Sequence, residues 1–177
     1  YLKEAEEHLL KAVDFAERSN QLAVTALSNF YLGEVYYVMG KYKSSQKYYA
    51  RLITCYQSAR YQPSVVNAVT IGIGKARAKD REKDINLYEI FKWHEDIKKK
   101  GVDGWASNFI GKLLLNIDDQ HISEAEDWIK RTIETHQRYV MRWNLAQDYT
   151  LYAELFKRKD DLPKAKREKI DIKHSLF

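Results

Sequence analysis

The chain contains few of the residues that turn or break a backbone. Its 177 residues include only 7 glycines and 2 prolines. A protein built from many short strands needs turn residues at frequent intervals, so this scarcity argues against a strand-rich fold. It favours long helices joined by short connections. A composition of 45% hydrophobic and 31% charged residues fits a folded protein better than a disordered one.

Cysteines and long apolar runs are equally scarce. The single cysteine, Cys55, excludes an intrachain disulfide framework and fits a reducing compartment. No apolar run approaches the roughly 20 residues that a membrane helix needs. Glu4, Glu6 and Glu7 stand where a secretory signal would be basic and then apolar. We therefore expect a soluble, cytoplasmic protein with no membrane partner.

Positive charge is present in modest excess, with 30 basic against 25 acidic residues and a net charge of +5. The basic clusters lie at residues 77–83, 98–100, 157–159 and 164–169. Two of them end predicted helices, where cations complement the helix dipole, and the others alternate with acidic residues. This pattern disfavours a nucleic-acid partner, which would favour a concentrated basic stripe.

Small and large apolar residues recur along the chain at a constant step of 40. The recurring positions are Ala5, Leu9 and Ala12, then Ser45, Tyr49 and Leu52, then Ile85, then Ala125, Ile129 and Thr132, and finally Ala165. Spacings of four and three place each set on one face of a helix. A constant step over the whole chain predicts a stack of similar helical units.

Each unit is predicted to contain two antiparallel helices. The predicted helices cover residues 2–19, 21–39, 43–58, 63–78, 85–100, 104–115, 123–138 and 142–159, with a last helix from Pro163 onward. Gly40 and Gly101 are interpreted as helix stops. Ser123 and Glu126 have the spacing of a capping box at the start of a helix.

The predicted domain organisation is a single solenoid over residues 1–177. It comprises the second helix of a truncated repeat (1–20), a repeat (21–60), a degenerate repeat (61–100), a repeat (101–140) and a final repeat or C-terminal cap (141–177). In the degenerate repeat, Gly72 and Gly74 compete for the small position, and Lys75 or Arg77 replaces an expected aromatic residue. In the last helix Lys169 occupies a large apolar position. Because the chain begins at Tyr1 in mid-repeat, we expect it to be a piece of a longer protein.

The residues of the first complete unit resemble the tetratricopeptide repeat. Leu32, Gly33, Tyr36, Gly40 and Tyr42 fill the large, small, aromatic and turn positions of that repeat's first helix and turn. The other matching residues are Ser45, Tyr49 and Leu52, then Ile110, Gly111, Leu114, Ala125 and Ile129, and finally Tyr152, Ala153, Phe156, Leu162 and Ala165. The step of 40 exceeds the common repeat of about 34, as in several regulatory variants of the family.

The resemblance implies an all-α fold, an α-solenoid of antiparallel helical hairpins forming a right-handed superhelix. Its concave groove, made mainly by the first helix of each hairpin, would bind a peptide or helix from a protein partner or from another domain of the same chain. The residues that it assigns to this groove are Phe30, Glu34, Tyr37, Asn108, Lys112, Thr150, Glu154 and Lys157. The long repeats are also similar to the C-terminal regions of large bacterial signalling proteins with ATPase or cyclase domains. A regulatory role in such a protein is the resulting expectation.

No residue pattern predicts an enzyme, a cofactor or a metal site. The segment Asp118–Glu124 contains carboxylates and His121, but helix entry explains it better than a cation. The glycines at 72 and 74 lack the further residues of a phosphate-binding loop. No two histidines have helical zinc spacing; His94 is predicted at a helix interface and His8 and His136 are predicted to be exposed. Cys55 is interpreted as an inert buried thiol.

Three other functions remain open from sequence. One is a nucleic-acid-associated solenoid, and a second is a hydrolase hidden in a helical fold. The third is a spacer or dimerisation segment without a ligand. In that case the end helix, residues 2–19, would mediate self-association because its apolar face lacks a partner.

Overall fold

The computed structural model describes residues 1–60, 62–97 and 100–167, and every regular element in this part of the chain is a helix. The helices are α1 (Leu2–Arg18), α2 (Leu22–Val38), α3 (Tyr42–Ser58), α4 (Pro63–Lys79), α5 (Leu87–Glu95), α6 (Lys100–Ile117), α7 (Ile122–Arg138) and α8 (Arg142–Arg158). Residues 162–167 are also helical. None of the described helices is long and apolar enough to cross a membrane. The all-helical class predicted from sequence is confirmed, while Lys98, Lys99 and Lys169 lie outside the described residues.

The helices form two compact units, the first from Tyr1 to Ile97 and the second from Lys98 onward. In the first unit each helix packs on the next, from α1 through α5. In the second unit α6 packs on α7 and α7 on α8, and α8 also contacts α6. We call α2, α4, α6 and α8 the A helices, because each opens a hairpin, and the helices that follow them the B helices. Consecutive packing of hairpins is the arrangement expected of helical repeats.

Small residues on the A helices bring the paired helices close together. A Cβ added to Gly33 would lie 2.5 Å from the ring of Tyr49, which α3 buries against it. The Ser45 hydroxyl donates to the Gly33 carbonyl over 2.8 Å. In the second unit a Cβ on Gly111 would lie 3.0 Å from Ile129 of α7. The predicted pairing of small and large residues is therefore confirmed in both units.

The helix ends repeat as regularly as the cores. Seven described residues lie in the left-handed region. Five of them, in five separate turns, are spaced by multiples of 20: Asn20, Gly40, Arg60, Val140 and Asp160; the other two are Gln62 and Arg81. In four of these turns the next amide donates back to a carbonyl five residues earlier, as Lys41 does to Tyr36 over 2.9 Å. This is the Schellman ending, which satisfies carbonyls that the helix itself leaves open. A constant helix-plus-turn length of 20 explains the sequence step of 40.

The second hairpin departs from the predicted pattern. Residues 85–100 were expected to form one helix ended by Gly101, which is wrong. Ile85 precedes the helix, and α5 covers only Leu87–Glu95, with the Asn86 side chain accepting from the Glu89 amide over 3.3 Å. Gly101 lies inside α6. The step of 40 would have required charged Glu89 and Lys92 in the core, so the helix instead buries Ile90 and His94.

The predicted capping box at Ser123 and Glu126 is also wrong. Helix α7 begins at Ile122, one residue earlier, and His121 precedes it without a side-chain cap. The Glu126 carboxylate instead accepts from Lys130 over 2.7 Å and from Lys159 beyond the end of α8. Two cations within reach offer this carboxylate stronger hydrogen bonds than one neutral backbone amide.

Candidate interaction surface

The exposed side of α2 carries a stripe of large apolar residues. Val24, Leu27, Tyr31 and Val38 are 41%, 49%, 49% and 65% exposed, respectively. Their spacing of three, four and seven residues places them along one helix face, opposite the buried residues Ala26 and Gly33. We call these four residues the α2 face. Apart from Glu34, no residue of α2 carries a charge.

The three groove residues predicted on α2 lie beside this face and are half-buried. Phe30 packs against the Tyr49 ring with centroids 6.2 Å apart. Glu34 accepts from Lys75 of α4 over 2.7 Å and also from the Tyr49 hydroxyl. Tyr37 places its ring 4.3 Å from the Lys75 ammonium. These residues therefore bind the neighbouring helices as well as bordering the exposed stripe.

Lys75 is the centre of this cluster, and its side chain is fully buried. A buried cation must be paired to be tolerated. Glu34 provides the counter-ion, and the rings of Tyr37 and Tyr49 provide cation–π contacts at 4.3 and 5.5 Å. Burial and the neighbouring Glu34 carboxylate raise the pKa of Tyr49 well above its ordinary value, so its hydroxyl stays a donor. The position where an aromatic residue was expected thus holds a lysine enclosed by aromatic residues.

In the second unit the predicted residues separate into two environments. Thr150, Glu154 and Lys157 are exposed on one face of α8, which Trp143 and Gln147 extend toward the start of the helix. Lys112 of α6 is half-buried. Asn108 is only 6% exposed, and its amide donates to Asp148 of α8 over 2.7 Å. Asn108 therefore joins two helices of the second unit, which leaves little of its side chain for a ligand.

A buried polar network surrounds Asp148. Its carboxylate accepts from Asn108 and lies 2.5 Å from Nδ1 of His136, which is 1% exposed. The Thr132 hydroxyl donates to the Gly104 carbonyl over 2.9 Å beside them. The predicted exposure of His136 is wrong, because Gly104 has no side chain and leaves room for the imidazole. His94 is buried as predicted, and His8 is exposed.

The residues considered for metal binding or nucleophilic chemistry are paired with other side chains or packed within helices. Within the described residues, no three histidine, cysteine, aspartate or glutamate side chains are grouped as a metal site requires. Asp119 pairs with Arg158 over 2.5 Å, and His121 lies 3.3 Å from Glu124. Cys55 is half-buried, and burial raises the pKa of its thiol. Gly72 and Gly74 lie within α4, where they are buried.

Several basic residues named in the sequence are paired with acids. Arg77 donates to Glu82 over 2.8 Å and lies 2.9 Å from Asp84. Lys43 also lies 2.6 Å from Glu82. Hydrogen bonds from Lys43, Arg77 and Gln46 lower the pKa of Glu82 to about 2. These pairs neutralise Arg77, one of the basic residues of the cluster at residues 77–83.

Sequence reasoning missed the exposed apolar residues Leu27, Tyr31, Val38 and Trp143. A signal for the first three was present, because α2 is apolar on every side and a helix in a two-layer stack buries only part of its circumference. Once Gly33 was assigned to the core, the residues on the opposite side of α2 were the ones expected to be exposed. Trp143 had no comparable signal.

Together the hairpins and the exposed A-helix faces define a helical-repeat protein. No family model and no curated protein matches the sequence. Among solved structures, the chain is similar to the crystal structure of the apo form of RapI, with a TM-score of 0.75 and 16% sequence identity. The similarity covers 99% of this chain and 63% of the RapI chain, so this chain spans less than two thirds of that protein's length. At this identity the likeness establishes the helical-repeat fold.

Proposed function

We propose that the chain is a non-catalytic protein-interaction module of a regulatory protein, which docks a peptide or helix of a protein partner on the exposed sides of its A helices. In the first unit the docking surface is the α2 face, bordered by Phe30, Glu34 and Tyr37. In the second unit it is the exposed side of α8, with Thr150, Glu154 and Lys157. We also propose that the protein is cytoplasmic, as its single cysteine suggests.

The observation that carries this proposal is the apolar stripe on α2. Fully burying one large aliphatic side chain is worth roughly 1.5–3 kcal/mol, so completing the burial of three half-exposed aliphatic residues and a tyrosine is a substantial driving force for association. Contiguous apolar surface on a folded protein commonly marks an interaction site. A docked helix would use its own apolar residues at spacings of three, four and seven against such a stripe.

The likeness to RapI supports the helical-repeat fold and does not show the function. One fold hosts many functions, so the exposed residues of this chain decide what it binds. We also propose that docking regulates another domain of the same protein. The paired state of Arg77, Lys159 and Arg158 argues against the nucleic-acid alternative.

The test measures how much partner protein is retained by the immobilised chain and by two variants, one with a double substitution and one with a single substitution. Leu27→Asp with Tyr31→Asp places carboxylates in the α2 face, and we expect at least a tenfold loss of the retained partner. Phe15→Asp is the matched control, because Phe15 is 66% exposed and belongs to a different helix, α1. Circular dichroism confirms that all three proteins are folded.

Each alternative predicts a different result. Equal retention by the parent and the α2 variant would reject the α2 face as the docking site. If the retained protein is the chain itself and Phe15→Asp abolishes retention, the chain is a self-associating segment. Glu34→Ala is a poor probe of docking, because it also removes the counter-ion of buried Lys75.

A further inference from the structure

Glu34 is the one charged residue of α2, and it lies within the apolar stripe of that helix. Spacings of three, four, three and four residues connect Val24, Leu27, Tyr31, Glu34 and Val38 in that order. These are the spacings of a coiled-coil seam, whose members all face a partner helix. A helix docked along the α2 face therefore covers Glu34 together with the four apolar residues.

A carboxylate that is covered by an apolar helix loses the water that still reaches it. The Glu34 side chain is 25% exposed, and an unpaired carboxylate is costly to bury. Lys75 pairs with it from the protein side, because the ammonium lies 2.7 Å from Glu34 Oε1 and the lysine side chain is fully buried. The Tyr49 hydroxyl donates to the same oxygen. The seam position thus presents a polar group whose charge is balanced within the protein.

Lys75 is a departure from the repeat, which favours an aromatic residue at this place. An apolar residue there would avoid the burial of two charges, and such replacements often leave a protein equally or more stable. Buried polar groups are best attested where they select a partner or a register, as a single polar residue does in a coiled-coil seam. The pair of Lys75 with Glu34 stands at such a position, in the middle of the exposed stripe.

We propose that Lys75 sets the charge selectivity of the α2 face, whose partner is an amphipathic helix with an uncharged residue opposite Glu34. This inference rests on the proposed docking at the α2 face and specifies the partner. Lys75 is a positioning residue, because its fully buried side chain acts on the partner through Glu34. A lysine opposite Glu34 would add a surplus cation to a balanced pair, and an aspartate would repel the carboxylate. An uncharged residue avoids both costs.

Removal of Lys75 should reverse this selectivity. In Lys75→Met, Glu34 keeps its place in the seam and loses the ammonium that balances its charge. A cation opposite Glu34 then supplies the counter-charge, whereas an uncharged residue does not replace the lost ammonium. Replacing Glu34 by glutamine as well removes both charges. The double variant Glu34→Gln with Lys75→Met should therefore prefer an uncharged partner residue again.

The experiment selects helical peptides displayed on phage against the immobilised chain. The library spans about three heptads, with leucine, isoleucine or valine at the seam positions and all amino acids at the central one. We expect the parent chain to select uncharged residues at the central position, and Lys75→Met to select lysine or arginine. One selected peptide is then synthesised with either glutamine or lysine at that position, and both forms are titrated by fluorescence anisotropy.

The measured quantity is the ratio of the two peptide affinities. The parent should bind the glutamine form about tenfold more tightly than the lysine form, Lys75→Met should prefer the lysine form, and the double variant should regain the parent's preference. Lys47→Met is the matched control, because it removes an exposed lysine of α3 and should keep the parent's ratio. A purely structural role of Lys75 would weaken both forms equally and leave the ratio unchanged.

The results distinguish docking from selectivity. Peptides that no longer bind the variant with Leu27→Asp and Tyr31→Asp occupy the α2 face. If these peptides keep the same ratio in folded Lys75→Met, the selectivity proposal is overturned while docking stands. A preference of the parent for the lysine form overturns it too, without any variant, because a balanced Glu34 does not attract a cation. If no selected peptide depends on Leu27 and Tyr31, docking on the α2 face fails and selectivity fails with it.

Discussion

At the scale of single residues, Glu34 has two roles. It stabilises the fold by pairing with Lys75, and it borders the α2 face. The Lys75 side chain is fully buried, whereas Glu34 retains 25% of its side-chain exposure. The two partners therefore differ in what their loss leaves behind. Removing the carboxylate leaves a cation inside the protein, and removing the cation leaves a carboxylate that water still reaches.

This asymmetry gives a prediction for two substitutions. We expect Glu34→Ala to lower the free energy of unfolding by about 2–3 kcal/mol, because an uncompensated buried charge is costly. Lys75→Met keeps most of the buried volume and should cost only about 1 kcal/mol. Urea unfolding followed by circular dichroism measures both. A larger loss for Lys75→Met than for Glu34→Ala would contradict the assigned roles.

At the scale of helices, close approach in each hairpin depends on glycines of the A helices. A Cβ on Gly33 would lie 2.5 Å from the fully buried Tyr49 ring, so a methyl group there must push the two helices apart. Gly101 has no atom within 4 Å of an added Cβ and lies in the first turns of α6. Replacing glycine by alanine therefore causes a steric clash at position 33 and none at position 101.

We expect Gly33→Ala to destabilise the protein by about 2–3 kcal/mol, which is typical of overpacking a tight core. Gly101→Ala, the control, should be neutral or stabilise by up to about 1 kcal/mol through helix propensity. Thermal unfolding separates the two variants. Comparable melting temperatures for both would mean that the α2–α3 distance does not depend on Gly33.

Charged side chains also join elements of the first unit, and their effect depends on pH. Hydrogen bonds from Lys43, Arg77 and Gln46 lower the folded-state pKa of Glu82 to about 2, whereas its ordinary value is 4.5. A lowered pKa stabilises the folded state fully above the unfolded pKa, and this stabilisation is lost as the pH falls from about 4.5 toward 2. These contacts connect α3 to the end of α4.

Glu82→Gln should therefore lower the free energy of unfolding by about 1 kcal/mol at pH 7, the size expected of a small ion-pair network. The difference between the variant and the parent should shrink below pH 4.5 and vanish near pH 2. Urea titrations at several pH values measure it. A difference that persists unchanged at the lowest pH would show that Glu82 acts through something other than its charge.

The sequence predicted the helices well and the exposed surface less well, for identifiable reasons. Repeated core residues such as Tyr49 and Ile129 follow a fixed step, so the hairpins that contain them were found. The second hairpin lost this signal when charged residues replaced core ones, and α5 changed register and length. Ion pairing of Lys75 with Glu34, and burial of Asn108 and His136 around Asp148, depend on contacts between separate helices, which one-dimensional spacing does not reveal.

At the scale of the whole molecule, the two units present separate candidate surfaces. The first unit provides the apolar α2 face, and the second provides the exposed side of α8. A helical-repeat fold suits this use, because each hairpin needs only its neighbours for stability and leaves one helix side exposed. The central claim is that the α2 face contacts a protein partner.

Site-specific photo-crosslinking tests this claim most directly. A photoreactive phenylalanine derivative replaces Tyr31 on the α2 face or Tyr88, which is 75% exposed on α5 and serves as the control. If the partner docks on the α2 face, irradiation attaches it at position 31, with far less product at position 88. Equal attachment at the two positions, or attachment at position 88 alone, would contradict docking on the α2 face.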